Sequence, residues 1–438
     1  MFFAALCMLA TGYPVAFTFG SVAIFFGAGA AAIEMLPDAS FAMIFEEFFL
    51  MFSMMPFRIY SIMNNTILMA IPLFIFMGIM LQKSDLAERL LEAMGSLFGK
   101  VRGGVAVSTV LVGTLLAAST GVVGASVVAM GVISLPVMLK YGYSKKLATG
   151  TICGAGTLGQ IIPPSIVLII LGDVFQEPVG DLFKAAVLPG LILVGLYILY
   201  ILVLAFIDKE VAPPIEDDSL SRGASVKKAM IAIIPPLTLI ILVLGSIFKG
   251  IATPTESASV GAVGSMVLAA MYKKLSFTIV MDSLHETVKI TAMVFAILIG
   301  ATAFSMVFVY SGADYIVEDF LTNLPGEKWT FLILSMVSIL VLGFFIDFIE
   351  ISYIVVPILL PIADIVGLDP LWFAILIAMN LQTSFLTPPF GFSLFYLKGV
   401  SPPEVKTTDI YQGVLPFIII QVMVLISIVV FPGFYGFG

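Results

Sequence analysis

The chain has 438 residues, of which 61% are apolar and 11% charged, and its mean hydropathy is +1.16. Those values exclude a water-soluble enzyme and point to a polytopic membrane protein. Twenty basic against 28 acidic residues give a formal charge of -8, opposite to the basic footprint of nucleic-acid binding, so no nucleic-acid partner is expected.

The 38 Gly and 24 Pro lie inside apolar stretches, as they do in membrane helices. Cys7 and Cys153 have neither metal-ligand spacing nor a disulfide framework and read as packing residues. At the N-terminus, Phe2 to Ala32 lacks a basic leader region and reads as a retained membrane segment. The FEEFFLMF stretch between Glu34 and Arg58 is amphipathic and suits the interface. A span follows at about Asn64 to Leu81. Gln82 to Gly104 is a charged amphipathic arm, a candidate brace for a second subunit. Single spans are expected at Lys184 to Ile207, Met230 to Phe248, Thr255 to Tyr272, Thr287 to Tyr310 and Gly413 to Phe431, with a polar linker from Asp208 to Lys228.

Two further regions repeat one another. At one constant offset Pro136 meets Pro361, Gly142 meets Gly367, and Pro163 and Pro164 meet Pro388 and Pro389, which reads as an internal duplication. In the first copy, residues 105–139 carry no charge and are too long for one span and too short for two, so a re-entrant hairpin is expected with its tip in Ala117 to Ser126. Lys100, Arg102, Lys140, Lys145 and Lys146 place its feet on the cytoplasmic side. The matching hairpin, residues 329–363, is flanked by acids instead. Charge and span parity agree that the second copy is inverted. After each hairpin comes a crossing segment, 147–172 and 371–397, with a double proline in its middle. Proline removes a backbone donor and clashes with the preceding turn, so both are expected to be broken helices, with Pro163 and Pro388 opening their second halves. Inverted repeats with broken helices at the midplane are the mark of an ion-coupled transporter.

Asp347 and Glu350, three residues apart in the second hairpin, would share a helical face if that part is helical, and mark either a place near the site or a proton relay, or a structural contact with an interfacial or buried partner. Asn380 and Gln382 are polar in an apolar half-helix and are expected to be functional. Glu256 reads as a helix cap. His285 reads as a packing or solvated residue. A channel is disfavoured because no repeated filter ring is visible. An intramembrane enzyme is disfavoured because no catalytic constellation is present.

GTLGQIIPPSIVLIILGD, GIATPTESASVGAVG, GFFIDFIEISYIVVPI and NLQTSFLTPPFGFSLFYLKGV resemble the large membrane subunit (DctM-like) of tripartite ATP-independent periplasmic (TRAP) transporters, in the branch named for mannitol and chloroaromatic compounds. The resemblance implies an all-α ion-transporter-superfamily elevator fold in the bacterial inner membrane. Scaffold segments would be 1–104, 184–328 with a cytoplasmic loop at 208–228, and the closing span 399–438. The transport repeats would be 105–183 and 329–398. It further implies a small four-helix membrane subunit, a periplasmic substrate-binding protein that delivers a small organic anion, and Na⁺ as coupling ion at two or more sites. By position, one site falls on Ser119 or Thr120 with Gly159, Ile162 and Pro163, and a second on Gly343, Ser384, Thr387 and Phe390. The anion is expected against Ser126, Thr157, Pro164, Ser165, Asp347, Asn380, Gln382 and Pro389. The first tip reads STGVVGAS and the second GFFIDFIE, where many relatives carry GSS-like and GTF-x-E patterns. The alternative is a proton-coupled anion carrier working without a binding protein.

Overall fold

The computed structural model describes residues 1–34, 40–98, 101–121, 123–214, 222–323 and 325–437; part of the polar linker, residues 215–221, lies outside them. Among the described residues every regular element is helical, and seven helices are long and apolar enough to cross a bilayer. The chain divides into two units, Met1–Leu68 with Val288–Pro370, and Met69–Thr287 with Leu371–Gly438.

The first unit opens with α1 (Phe2–Ala10), α2 (Val15–Glu34), α3 (Phe41–Phe52) and α4 (Met55–Met63). The N-terminal apolar run is thus two helices instead of one segment. Gly12 takes φ +88, open to a residue without a Cβ, and Pro14 supplies no backbone donor to continue α1. The second unit begins with α5 (Ala70–Lys83) and α6 (Leu86–Phe98), followed by the helical hairpin α7 (Gly104–Thr120) and α8 (Val123–Lys140). Next come α9 (Lys145–Thr157), α10 (Ile166–Phe175), α11 (Val179–Ile207), α12 (Arg222–Phe248) and α13 (Pro254–Met271). Thr253 and Glu256 form a reciprocal capping box at the start of α13, as expected of Glu256. Helix α14 (Phe277–Tyr310) leads back into the first unit, to α15 (Ala313–Thr322), α16 (Glu327–Leu342) and α17 (Phe348–Ile365). The chain ends in the second unit with α18 (Pro370–Leu386), α19 (Phe392–Val400) and α20 (Thr407–Val430).

In the first unit, Ala5, Phe19, Val22, Ala301, Phe304 and Ile354 share one apolar cluster. The Tyr310 hydroxyl lies between the carboxylates of Glu34 and Glu47, with one proton to give to either, and so joins the ends of α2 and α14 to α3. In the second unit the arm helix α6 and its approach are held by the chain's own charges: Lys83 with Glu286 at 2.8 Å, Lys228 with Glu92 at 3.3 Å, Lys274 with Asp85, and Arg89 over the Tyr272 ring at 5.1 Å. Exposed pairs of this kind contribute little singly.

Helices α9 and α20 cross in close contact in the second unit. A Cβ on Gly150 would lie 2.0 Å from the Gly413 carbonyl oxygen, and one on Gly413 would lie 2.2 Å from that of Lys146. Only glycine lets these backbones meet, the device membrane helices use where lipid gives no hydrophobic drive for association. Farther along α20, Phe417 packs edge-on against Tyr197 of α11, and Gln421 Nε2 donates to Thr157 Oγ1 at 3.4 Å.

Candidate functional site

The duplication read from the sequence is repeated in the backbone. At the offset that sets Pro163 on Pro388, the start and end of α8, Val123 and Lys140, fall on those of α17, Phe348 and Ile365. The turn after each helix is the same bond for bond. Tyr143 N–H reaches Met138 O at 3.0 Å and Gly142 N–H reaches Leu139 O at 3.1 Å; Leu368 N–H reaches Ala363 O at 2.9 Å and Gly367 N–H reaches Asp364 O at 3.1 Å. Gly142 at φ +78 and Gly367 at φ +69 supply the left-handed residue this cap requires.

The first break lies between α9 and α10. One tight turn, Leu158–Gln160, closes α9, and residues 161–165 are not helical. Ser165 caps α10, accepting from Leu168 N–H at 3.4 Å while its hydroxyl donates to the Gln160 carbonyl at 2.6 Å. The prolines therefore sit inside the link, and a serine opens the second half. Pro163 and Pro164 have no N–H to give to a preceding turn, so the helix does not resume until Ser165 caps α10.

The hairpin tip rests directly on this break. A Cβ on Gly159 would lie 2.7 Å from the Ala117 carbonyl oxygen near the end of α7, and a Cβ on Gly121 would lie 2.9 Å from Ile166 at the start of α10. Gly121 closes α7 in the left-handed region at φ +61. Lower down, α8 meets α9 where a Cβ on Gly156 would strike Val127. Of the first-break residues, Gly159 and Ile166 meet the tip, Ile162 lies against Gly190 of α11, Thr157 faces Gln421 of α20, and Pro163, Pro164 and Ser165 lie in the link. Ser126 is buried on α8. The side chains of Ser119 and Thr120 lie outside the described residues.

The second break lies between α18 and α19. The hydroxyls of Ser384 and Thr387 donate to Leu381 O at 2.8 Å and Thr383 O at 2.7 Å, which leaves their oxygen lone pairs as acceptors. Ser393 Oγ donates back across the break to Phe385 O at 2.8 Å, and the Pro389 carbonyl accepts from the Tyr411 hydroxyl at 2.9 Å. Asn380 and Gln382 are buried on α18, whereas Phe390 is 46% exposed. Both Pro163–Pro164 and Pro388–Pro389 bonds are cis. The start of α18 lies beside the end of α10, with the Phe373 and Phe175 rings 5.9 Å apart.

Gly343 and Asp347 belong to the other unit. Gly343 caps α16. Asp347 is extended at ψ 167 and accepts from Phe348 N–H at 2.8 Å. It is the residue before the helix, so the expected shared helical face of Asp347 and Glu350 does not exist; only Glu350, 1% exposed, lies within α17. Residues Ile351–Val355 form a widened π turn just ahead of Pro357, the kind of local accommodation a proline ring calls for.

The model of the family described as "Tripartite ATP-independent periplasmic transporter, DctM component" matches residues 2–434. The chain belongs to that family. It is similar to the C4-dicarboxylate TRAP transporter large permease protein DctM of Pseudomonas aeruginosa, with 32% identity over 86% of each chain. It is also similar to the sialic acid TRAP transporter large permease protein SiaM of Vibrio cholerae, 28% identical over 85% of this chain and 86% of that one. The isethionate TRAP transporter permease protein DctMQ of Oleidesulfovibrio alaskensis is 31% identical over 82% of this chain, which covers 56% of that longer protein. Among solved structures, the Alcanivorax borkumensis YdaH transporter shares the fold, with a TM-score of 0.65, 15% identity and 98% coverage of both chains. The chain is therefore a multi-pass permease component of the bacterial inner membrane, one part of a tripartite transporter and not an enzyme.

Two polar residues at the breaks escaped the sequence reading. Gln160 carries the signal that singled out Gln382, an amide in an otherwise apolar half-helix. Ser393 had no such mark, because only the folded break shows which carbonyl it reaches.

Proposed function

We propose that the chain takes up a small organic anion, a carboxylate or sulfonate, together with Na⁺, after a periplasmic substrate-binding protein has delivered it. The observation that carries this reading is the hairpin tip pressed on the first break, with the Ala117 carbonyl against Gly159. Backbone carbonyls and hydroxyl oxygens at such a junction are hard ligands of the kind an alkali cation prefers. The first cation would be held by Ser119 or Thr120 with Gly159, Ile162 and Pro163, and the second by Ser384, Thr387 and Phe390. Residues 105–139, 147–172 and 371–397 contain no Lys or Arg. The anion would therefore rest on the N-termini of α10 and α19, on hydroxyls and amides, and on the cations themselves. Its neighbours would be Ser126, Thr157, Pro164, Ser165, Asn380, Gln382 and Pro389.

In the proposed cycle the two hairpins and two broken helices slide against the remaining spans as an elevator. A relative's name supports the class of cargo: C4-dicarboxylate, sialic acid and isethionate are all organic anions. The longer DctMQ relative supports a small membrane subunit as partner. More than one Na⁺ per monoanion would make uptake electrogenic, at about 2.3 kcal/mol per charge per 100 mV.

The test is uptake into proteoliposomes holding the permease and small subunit, with the binding protein added or withheld and a Na⁺ or a pH gradient imposed. Uptake is expected only with the binding protein and inward Na⁺. Full-rate uptake without Na⁺ would overturn the coupling, and full-rate uptake without the binding protein would overturn the delivery step.

A further inference from the structure

Gln160 closes the last turn before the first break, ahead of Pro163. Its side chain is 0% exposed, and neither Oε1 nor Nε2 has a hydrogen-bond partner in the protein. Gln382 on α18 shows the same pair of features, 0% exposed with both amide atoms unpartnered. Both residues belong to the second unit. A leucine or methionine of similar volume would fill either position without burying an unsatisfied amide.

The neighbouring polar groups are already engaged. The Gln160 carbonyl takes the Ser165 hydroxyl, the Thr157 hydroxyl donates to Gly154 O, and Thr383, Ser384 and Thr387 donate within their own helix. Gln421, a third buried amide, differs because its Nε2 already has Thr157. The two amides that flank the breaks are the ones left to meet something that is not protein.

We propose that Gln160 and Gln382 bind the cargo, and that an amide oxygen at the breaks accepts from a hydroxyl carried beside the cargo's acidic group. The inference rests on the organic-anion permease reading above. Each carboxamide offers two N–H donors and one acceptor oxygen. The N–H groups suit carboxylate or sulfonate oxygens. The two Oε1 atoms gain nothing from an anion, whose oxygens only accept. A hydroxyl on the cargo gives its one proton to one of them, and an acid lacking it leaves that buried acceptor unpaired. That is the arrangement by which a site built around a hydroxyl rejects the analogue without one.

The test uses the same proteoliposomes under a Na⁺ gradient with three probe pairs: isethionate and ethanesulfonate, malate and succinate, lactate and propionate. One binding protein serves every arm, so a change in preference on altering the permease belongs to the permease. The wild type is expected to favour the hydroxylated member of its pair by about tenfold or more in KM. Gln160→Leu is expected to raise that KM about tenfold, keep kcat within about threefold and collapse the preference, while the purified permease melts no lower than the wild type. Gln160→Asn, which keeps the amide, is expected to retain part of the preference. If Gln160→Leu is not monodisperse, Gln160→Met is measured with the same expectations. An unchanged preference in the Leu or Met variant overturns the inference alone, as does a shift confined to Na⁺ half-saturation, which would assign the amides to the cation. Full-rate wild-type uptake without Na⁺ or without the binding protein overturns the functional reading, whereas equal wild-type KM values for both members of every transported pair overturn this inference alone.

Discussion

The two broken helices share a backbone and differ in what they hang on it. At the common offset Gly159 corresponds to Ser384, Ile162 to Thr387, Ser165 to Phe390, Thr157 to Gln382 and Gln160 to Phe385. In both copies the carbonyl just before the break, that of Gln160 or of Phe385, is tied by a serine hydroxyl from beyond it. The serines are not equivalent, however: Ser165 caps its helix, whereas Ser393 lies one residue inside α19. The duplicated glycines and prolines preserve the shape, while the polar groups have been redistributed. The first break is closed by backbone touching backbone at a glycine, and the second presents hydroxyl oxygens. Two breaks of like geometry are thus given unlike chemistry.

That contrast can be broken at four places. Gly159→Ala puts a Cβ against the Ala117 backbone, which cannot yield as a flexible side chain would. Uptake is expected to fall by about two orders of magnitude, the upper end of overpacking, whereas Ser384→Ala at the corresponding position should cost about threefold. Similar initial rates for the two variants would erase the proposed asymmetry. Gly121→Ala asks a residue at φ +61 to carry a side chain beside Ile166, and about a tenfold loss of uptake is expected. Thr387→Val removes a proposed Na⁺ ligand without changing shape, so the Na⁺ concentration for half-maximal uptake should rise about tenfold. Its counterpart Ile162→Val should leave the Na⁺ titration unmoved, and equal titrations in the two would argue against Thr387. The smallest effect is expected from Ser165→Ala, which loses the cap of α10. A loss of about 1 kcal/mol, seen as a lower melting temperature of the purified permease, would confirm the cap, and an unshifted melt would refute it.

The double prolines, the charge-free hairpin length and the paired glycines at 142 and 367 were legible because each acts locally: a missing N–H or an absent Cβ dictates the same bend wherever it occurs. The turn at Gly12 and Pro14 was hidden because it is short and lies in an otherwise continuous apolar run. Asp347 was misplaced because spacing by three implies a shared face only inside a helix, and its extended backbone lies one residue outside. The meeting of Gly150 with Gly413 had no sequence sign at all. Each is unremarkable in its own helix, and only the crossing shows why neither carries a side chain.

The Tyr310 clasp on Glu34 and Glu47 bears on how the protein is made. Residues 1–57 hold no Lys or Arg, so the insertion machinery receives no positive charge there to hold one end in the cytoplasm. The phenol that secures this stretch emerges from the ribosome only after α14 has been translated. The opening helices therefore gain this tie only once α14, some 263 residues beyond Glu47, has been made.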